Sequence, residues 1–276
     1  MKRIFLNIFV AVMALGLVSC NNEVVIQDDT TKIEAFENLF SEIEVLNSSF
    51  QFDDHCYELR WWRPNWRNVA HADVVGAAAG FYGAGPLGAL GLGTIFSVVA
   101  LLLDPVFNNS IDLNDWQDGV PMHILGNDEI GALHNKFIRE ILLENPKMLQ
   151  GNVSTDEVIS LVNAKLNEHN FASSETELRR MMDSDALTVI DKIVRSDNLV
   201  YTMGELVRFY PGLKKEFQVI ASVAAGVERI RTEETMVEYT LEVLNVVNAS
   251  NIPTASREII NASLVVYANS FALWGD

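Results

Sequence analysis

Cysteine is nearly absent from this chain, with only Cys20 and Cys56 among 276 residues. No disulfide framework can staple such a fold, so its stability must come from a hydrophobic core. Positive charge is also scarce, 20 Lys and Arg against 37 Asp and Glu, for a balance of −17. A surface of that sign repels phosphate backbones and anionic lipid headgroups, which excludes nucleic acid as a partner class. Strand-like alternation of apolar and polar residues is missing too, so a sheet-based fold is not expected. The signatures of familiar chemistry are absent: no HExxH, CxxC, GxSxG or P-loop occurs, and the glycine-rich stretch has no strand before it from which to cradle a phosphate. The histidines, His55, His71, His123, His134 and His169, are too scattered for a metal motif. His71 and Asp73, two residues apart, would point in different directions on a helix. Asp112, Asn114, Asp115 and Asp118 offer oxygens in a loop, but Trp116 takes the fifth place of an EF-hand register begun at Asp112 and no glycine follows at the sixth. No cofactor or metal is implied. The remaining catalytic alternative is an extracytoplasmic hydrolase whose groups meet in space without a sequence spacing.

What is present begins at the N-terminus. Lys2 and Arg3 precede the apolar run Ile4 to Leu17, and Ser19 leads into Cys20, the layout of a secretory signal. Its last four residues, Leu17-Val18-Ser19-Cys20, resemble the lipobox of bacterial lipoproteins. The resemblance implies a diacylglycerol joined to the Cys20 thiol, cleavage before it, and membrane attachment by acyl chains such as palmitate, each buried methylene contributing about 0.8 kcal/mol. The chain then divides into a signal peptide (1–19), a lipidated flexible tether (20–31) and a helical domain (32–276). Losing Lys2 and Arg3 shifts the balance to −19, 18 basic against 37 acidic side chains. Asn21 and Asn22 follow the cysteine where Asp would hold an enterobacterial lipoprotein at the inner membrane. That points to the outer membrane of a Gram-negative bacterium. Gln27-Asp28-Asp29 is similar to surface-export signals of Bacteroidota lipoproteins, and which face the protein occupies stays open. Cys56 is then the only thiol left. Asp53 and Asp54 beside it and His55 would raise its pKa, so it reads as structural rather than nucleophilic.

From Ile33 onward the periodicity is helical. Ile33, Phe36, Leu39, Phe40, Ile43 and Leu46 share a face with glutamates between them. Ile130, His134, Phe137, Ile138 and Ile141 mark another helix, ended by Asn145-Pro146. Ser154 with Glu157, and Ser174 with Glu177, form capping boxes. Further helices are predicted over 185–194, along 212–248, and over 254–273 after Pro253. The expectation is an all-α multi-helix bundle, with a sub-boundary near residue 125 after a loop rich in Asn, Asp and Gly.

Thirty uncharged residues, Val74 to Leu103, carry seven glycines. In an isolated helix each would cost about 1 kcal/mol relative to alanine. Gly76, Gly80, Ala84 and Gly88 fall four apart, as do Gly85, Ala89 and Gly93, a spacing that grooves one helix for close approach by another. Pro86 interrupts the run, predicting helices over 66–82 and 88–103 joined as a hairpin packed in the core. Membrane insertion is the alternative, since Trp61, Trp62 and Trp66 interleaved with Arg60, Arg63 and Arg67 suit a bilayer interface. Each half is nevertheless short against the roughly 20 residues of a full span. The stretch Ala72 to Gly80 resembles the glycine-zipper regions of bacteriocin-like and pore-forming peptides, which implies membrane activity.

Gly131-Ala132-Leu133-His134-Asn135 resembles a Gly-x-Leu-His-Asn element of helical lipoproteins of Bacteroidota, a resemblance that implies no particular activity. His134 and Asn135 are candidate ligand contacts. Their competing role is packing, with His134 on an apolar face and Asn135 bonded to a neighbouring loop. The expected function is that of a non-enzymatic envelope lipoprotein, held to the membrane by its lipid, that binds an envelope partner or supports an assembly.

Overall fold

A computed structural model describes residues 29–52, 66–104, 111, 113, 129–150, 153–196 and 199–274. The signal peptide, Cys20, Trp61, Trp62, His55, Cys56, His123, the acidic positions Asp112, Asn114, Asp115 and Asp118, and the sub-boundary near 125 lie outside them. Two compact units are separated, Met1–Glu34 and Ala35–Asp276. Of the first, only 29–34 are described, as the opening of helix α1, Asp29–Ser49. That helix starts three residues inside the segment expected to be tether.

The described residues form ten α-helices and two 3-10 turns, Pro146–Gln150 and Pro211–Leu213, and no strand. After α1 come α2 (Trp66–Leu103), α3 (Glu129–Glu144), α4 (Thr155–Glu168), α5 (Glu175–Met181), α6 (Ser184–Val194), α7 (Leu199–Leu206), α8 (Lys214–Val227), α9 (Glu233–Ala249) and α10 (Thr254–Trp274). The long stretch of helical periodicity over 212–248 is two helices. The break falls at 228–232, where Thr232 takes an extended backbone and its side chain accepts from Thr235 N to open α9.

Helix α2 is the hairpin. Ala84 and Gly85 leave helical geometry, Gly85 at φ +64°, a left-handed turn that glycine adopts without a Cβ penalty. Pro86 follows directly, where a new helix start needs no amide donor. Residues 66–83 form one arm and 86–103 the other. They run antiparallel in close contact: a Cβ on Gly76 would sit 2.7 Å from Phe96 Cβ, and one on Gly80 would meet the Gly88 carbonyl. Helix α10 covers the hairpin most extensively, and α6, α3, α4 and α5 pack on its remaining sides. Val69, Val74, Ala78, Ile95, Phe96 and Val98 are wholly buried. Two hydroxyls in this apolar setting are satisfied within their own helices: Thr94 donates to Leu90 O at 2.8 Å and Ser263 to Ile259 O at 2.7 Å. Helices α2 and α3, on either side of residue 125, pack directly together.

The two predicted capping boxes differ. The Ser154 side chain accepts from Glu157 N at 3.2 Å, whereas Ser174 makes no side-chain cap bond. Ser154→Ala should therefore cost about 1 kcal/mol in urea denaturation, and Ser174→Ala less than half of that. Equal losses would show that the Ser154 bond contributes nothing.

Candidate functional site

The uncharged run of the sequence begins just after Asp73, and the fold carries that carboxylate to the centre of the bundle, where it is 0% exposed. Three helices converge on it. From α10, Ser270 and Trp274 lie one turn apart on one face. Ser270 Oγ donates to Asp73 Oδ2 at 2.6 Å and Trp274 Nε1 donates to the same oxygen at 3.1 Å. From α3, His134 Nε2 stands 4.0 Å from it, too far for a hydrogen bond. From the second arm of α2, the Ser97 hydroxyl faces the carboxyl outside hydrogen-bond geometry. Burial raises the Asp73 pKa above the ordinary carboxylate range, opposed by the His134 ring and by the Ser270, Ser97 and Trp274 groups.

His134 and Asn135 are both wholly buried. The His134 ring shares a 3.2 Å contact between Nδ1 and Asn135 Oδ1, and Asn135 Nδ2 donates to Asn269 O at 2.8 Å. The acceptor for Asn135 is thus a helix carbonyl of α10 rather than a loop. His71, two residues before Asp73, turns to another side and lies 5.8 Å from the Tyr267 ring. Burial first, and the Arg67 charge second, push its pKa down to about 3. Trp66, the one interface-candidate tryptophan that is described, is packed edge-on to Phe271 with centroids 5.3 Å apart, and the Arg67 guanidinium stands 5.2 Å from its ring.

An acid, a histidine and two serines therefore meet, which is the composition of a hydrolytic triad. The order is wrong for one. The serine hydroxyl that is held donates to the carboxylate instead of to the imidazole, so no base activates it. Each of these side chains is closed to solvent, so no substrate carbonyl meets them. What the arrangement does is fasten the hairpin to α10 through Asp73, and α3 to α10 through Asn135, by hydrogen bonds that the apolar surroundings strengthen. Sequence reasoning found His134 and Asn135, weighed Asp73 only as a partner for His71, and missed Ser270 and Trp274. The available signal was an acid bordering a long uncharged run, together with the spacing of Ser263, Ser270 and Trp274 along α10.

Among the described residues no group of three or more His, Cys, Asp or Glu is placed to hold a metal. A charged cluster lies away from this node: Lys165 reaches Glu144 at 2.7 Å, Glu168 at 2.8 Å and Glu140 at 3.8 Å, joining α3 to α4. The fold and the site define an all-α bundle with a buried polar node. No family model, curated protein or solved structure matches the chain.

Proposed function

We propose that the chain is a non-enzymatic lipoprotein of the bacterial envelope, acylated on Cys20 and held at the outer membrane of a Gram-negative cell. There its helical body binds an envelope partner or supports an assembly. The observation that carries this reading is the covered hairpin: 78% of its most apolar stretch is buried under the protein's own helices, so it serves as a core and leaves membrane attachment to the lipid. The closed Asp73 node favours a binding over a catalytic role, and the acidic balance favours a partner other than nucleic acid.

Two measurements test it. Labelled palmitate should enter the wild-type chain and fail to enter Cys20→Ser. Purified Cys20→Ser protein should remain soluble and release no dye from liposomes. Incorporation into Cys20→Ser overturns the anchor.

A second reading has one observation in its favour. Helix α2 is long and apolar enough to cross a membrane, with a mean hydropathy of 2.1 over its most apolar stretch. On this reading the hairpin leaves the bundle and inserts. Each arm of about 27 Å falls slightly short of the roughly 30 Å hydrocarbon core. Dye release by Cys20→Ser protein, abolished by Gly80→Leu or Gly88→Leu, would favour it over the first.

A further inference from the structure

The Asp73 node is joined directly on two sides. Asp73 ties the first arm of the hairpin to α10, and Asn135 ties α3 to α10. On the third side, between α3 and the hairpin, His134 Nε2 stands 4.0 Å from Asp73 Oδ2, beyond a hydrogen bond. Three polar atoms of the node are left over: Asp73 Oδ1, Ser97 Oγ and His134 Nε2. Among the described residues none of the three atoms has a hydrogen-bond partner. They belong to wholly buried residues of the first arm, the second arm and α3.

Hydrogen-bond chemistry fixes what each atom needs. Asn135 Nδ2 donates to the Asn269 carbonyl, so its Oδ1 is the end turned to His134. Oδ1 can only accept, which assigns the proton of the neutral ring to Nδ1 and leaves a lone pair on Nε2. Asp73 offers lone pairs as well. Two acceptors therefore face each other across 4.0 Å, and buried acceptors require donors. Ser97 faces the carboxyl and has one hydrogen to give. Unlike Thr94 and Ser263, it does not donate to the carbonyl one turn back.

There is also room beside the ring. Gly93 lies one turn before Ser97 on the second arm. A Cβ there would meet His134 Cδ2 at 3.5 Å and Ala77 Cβ at 3.6 Å, ordinary contact distances. Cδ2 adjoins Nε2, so the glycine leaves the space of a methyl group along the ring edge that carries the lone pair.

We propose that Asp73, Ser97 and His134 enclose a binding site for one water molecule. The water donates one hydrogen to His134 Nε2 and the other to the Asp73 carboxyl, and accepts from Ser97 Oγ. Two bonds of about 2.8 Å meeting at one oxygen span the gap between ring and carboxyl, and about three bonds is what a buried water makes. A metal ion suits the site less, because the donors are one carboxylate, one ring nitrogen and one hydroxyl. The water ties both arms of the hairpin to α3 and closes the third side of the node.

The site lies in the helical body and depends neither on Cys20 nor on the envelope reading, so the Cys20→Ser chain serves for the test. Its crystal structure should show one ordered water within about 3.1 Å of Asp73, Ser97 Oγ and His134 Nε2. Nitrogen-15 NMR of the neutral His134 ring should find the proton on Nδ1. Oxygen-17 relaxation dispersion counts waters that stay bound. Ser97→Val, which replaces the donor with methyl groups, should lose the amplitude of one such water. Ser263→Ala, whose hydroxyl is satisfied within its own helix, should lose none. Melting temperatures establish that both variants fold, and if Ser97→Val does not, the crystal structure of its parent decides. A node without an ordered water, a file of waters continuous with solvent, a ring proton on Nε2, or equal amplitudes in Ser97→Val and its parent overturns the proposal.

Discussion

Gly80→Ala is expected to lower the stability of the protein by about 3 kcal/mol in urea denaturation, although alanine is the better helix former. A Cβ on Gly80 would lie 2.0 Å from the Gly88 carbonyl oxygen and 2.5 Å from its carbon. Reciprocally, one on Gly88 would come 2.1 Å from Gly80 O. The obstructing atoms are backbone, so no side chain can rotate away and the arms must part. Parting them opens gaps along the hairpin as far as Gly76 and Phe96, and lost contacts in a close-packed interior are not recovered elsewhere. Alanine's propensity gain of about 1 kcal/mol offsets only part of the loss. Gly204 in α7 provides the contrast. It is exposed, and a Cβ there meets nothing within 4 Å, so Gly204→Ala should raise stability by up to about 1 kcal/mol. The same substitution is thus expected to have opposite signs at two helical glycines. Gly80→Ala matching or exceeding wild-type stability would mean that the arms do not touch in solution.

These opposite signs indicate what a sequence can and cannot carry. The four-residue spacing of small side chains predicted close helix contact, and Pro86 predicted where the run would turn, because both depend on local geometry. Periodicity likewise located α1, α3, α4 and α10 to within a few residues. The failures have non-local causes. Ser174 and Glu177 have the pattern of a capping box, but the Ser174 side chain makes no cap bond. Over 212–248 the apolar rhythm continues past the break at 228–232, because α8 and α9 both bury one face, and the rhythm does not record that the chain changes direction between them. The Asp73 node is assembled from α2, α3 and α10, with Ser270 and Trp274 about 200 residues along the chain, and no local pattern could join them.

Two buried groups on the first arm should give the protein opposing acid and base sensitivities that conceal each other. Burial, then Arg67, holds His71 near 3, below its usual 6.5. Its contribution to stability is complete above pH 6.5 and is lost as pH falls, because the unfolded chain gains a proton that the folded chain refuses. At about 1.4 kcal/mol per unit, the loss down to pH 3 is on the order of 5 kcal/mol. Burial acts oppositely on Asp73, raising its carboxyl above 3.8. Its penalty is absent below that value and grows as pH rises toward the folded pKa, since the unfolded carboxyl ionises first. From about pH 4 upward the two slopes oppose each other for as long as the folded Asp73 carboxyl keeps its proton, and the wild-type profile should carry little trace of either there. Asp73→Asn keeps an oxygen for Ser270 and Trp274 to donate to and removes the ionisation. It should match the wild type near pH 4, exceed it at pH 7, and expose a rise in stability of about 1.4 kcal/mol per pH unit between them. His71→Phe keeps a ring against Tyr267 and should expose the opposite slope, with stability falling as pH rises from 4. Urea denaturation of the three proteins at half-unit intervals from pH 4 to 8 separates these limbs. Three parallel profiles would mean that neither group titrates differently in the folded and unfolded chain, and that the Asp73 node is open to water in solution.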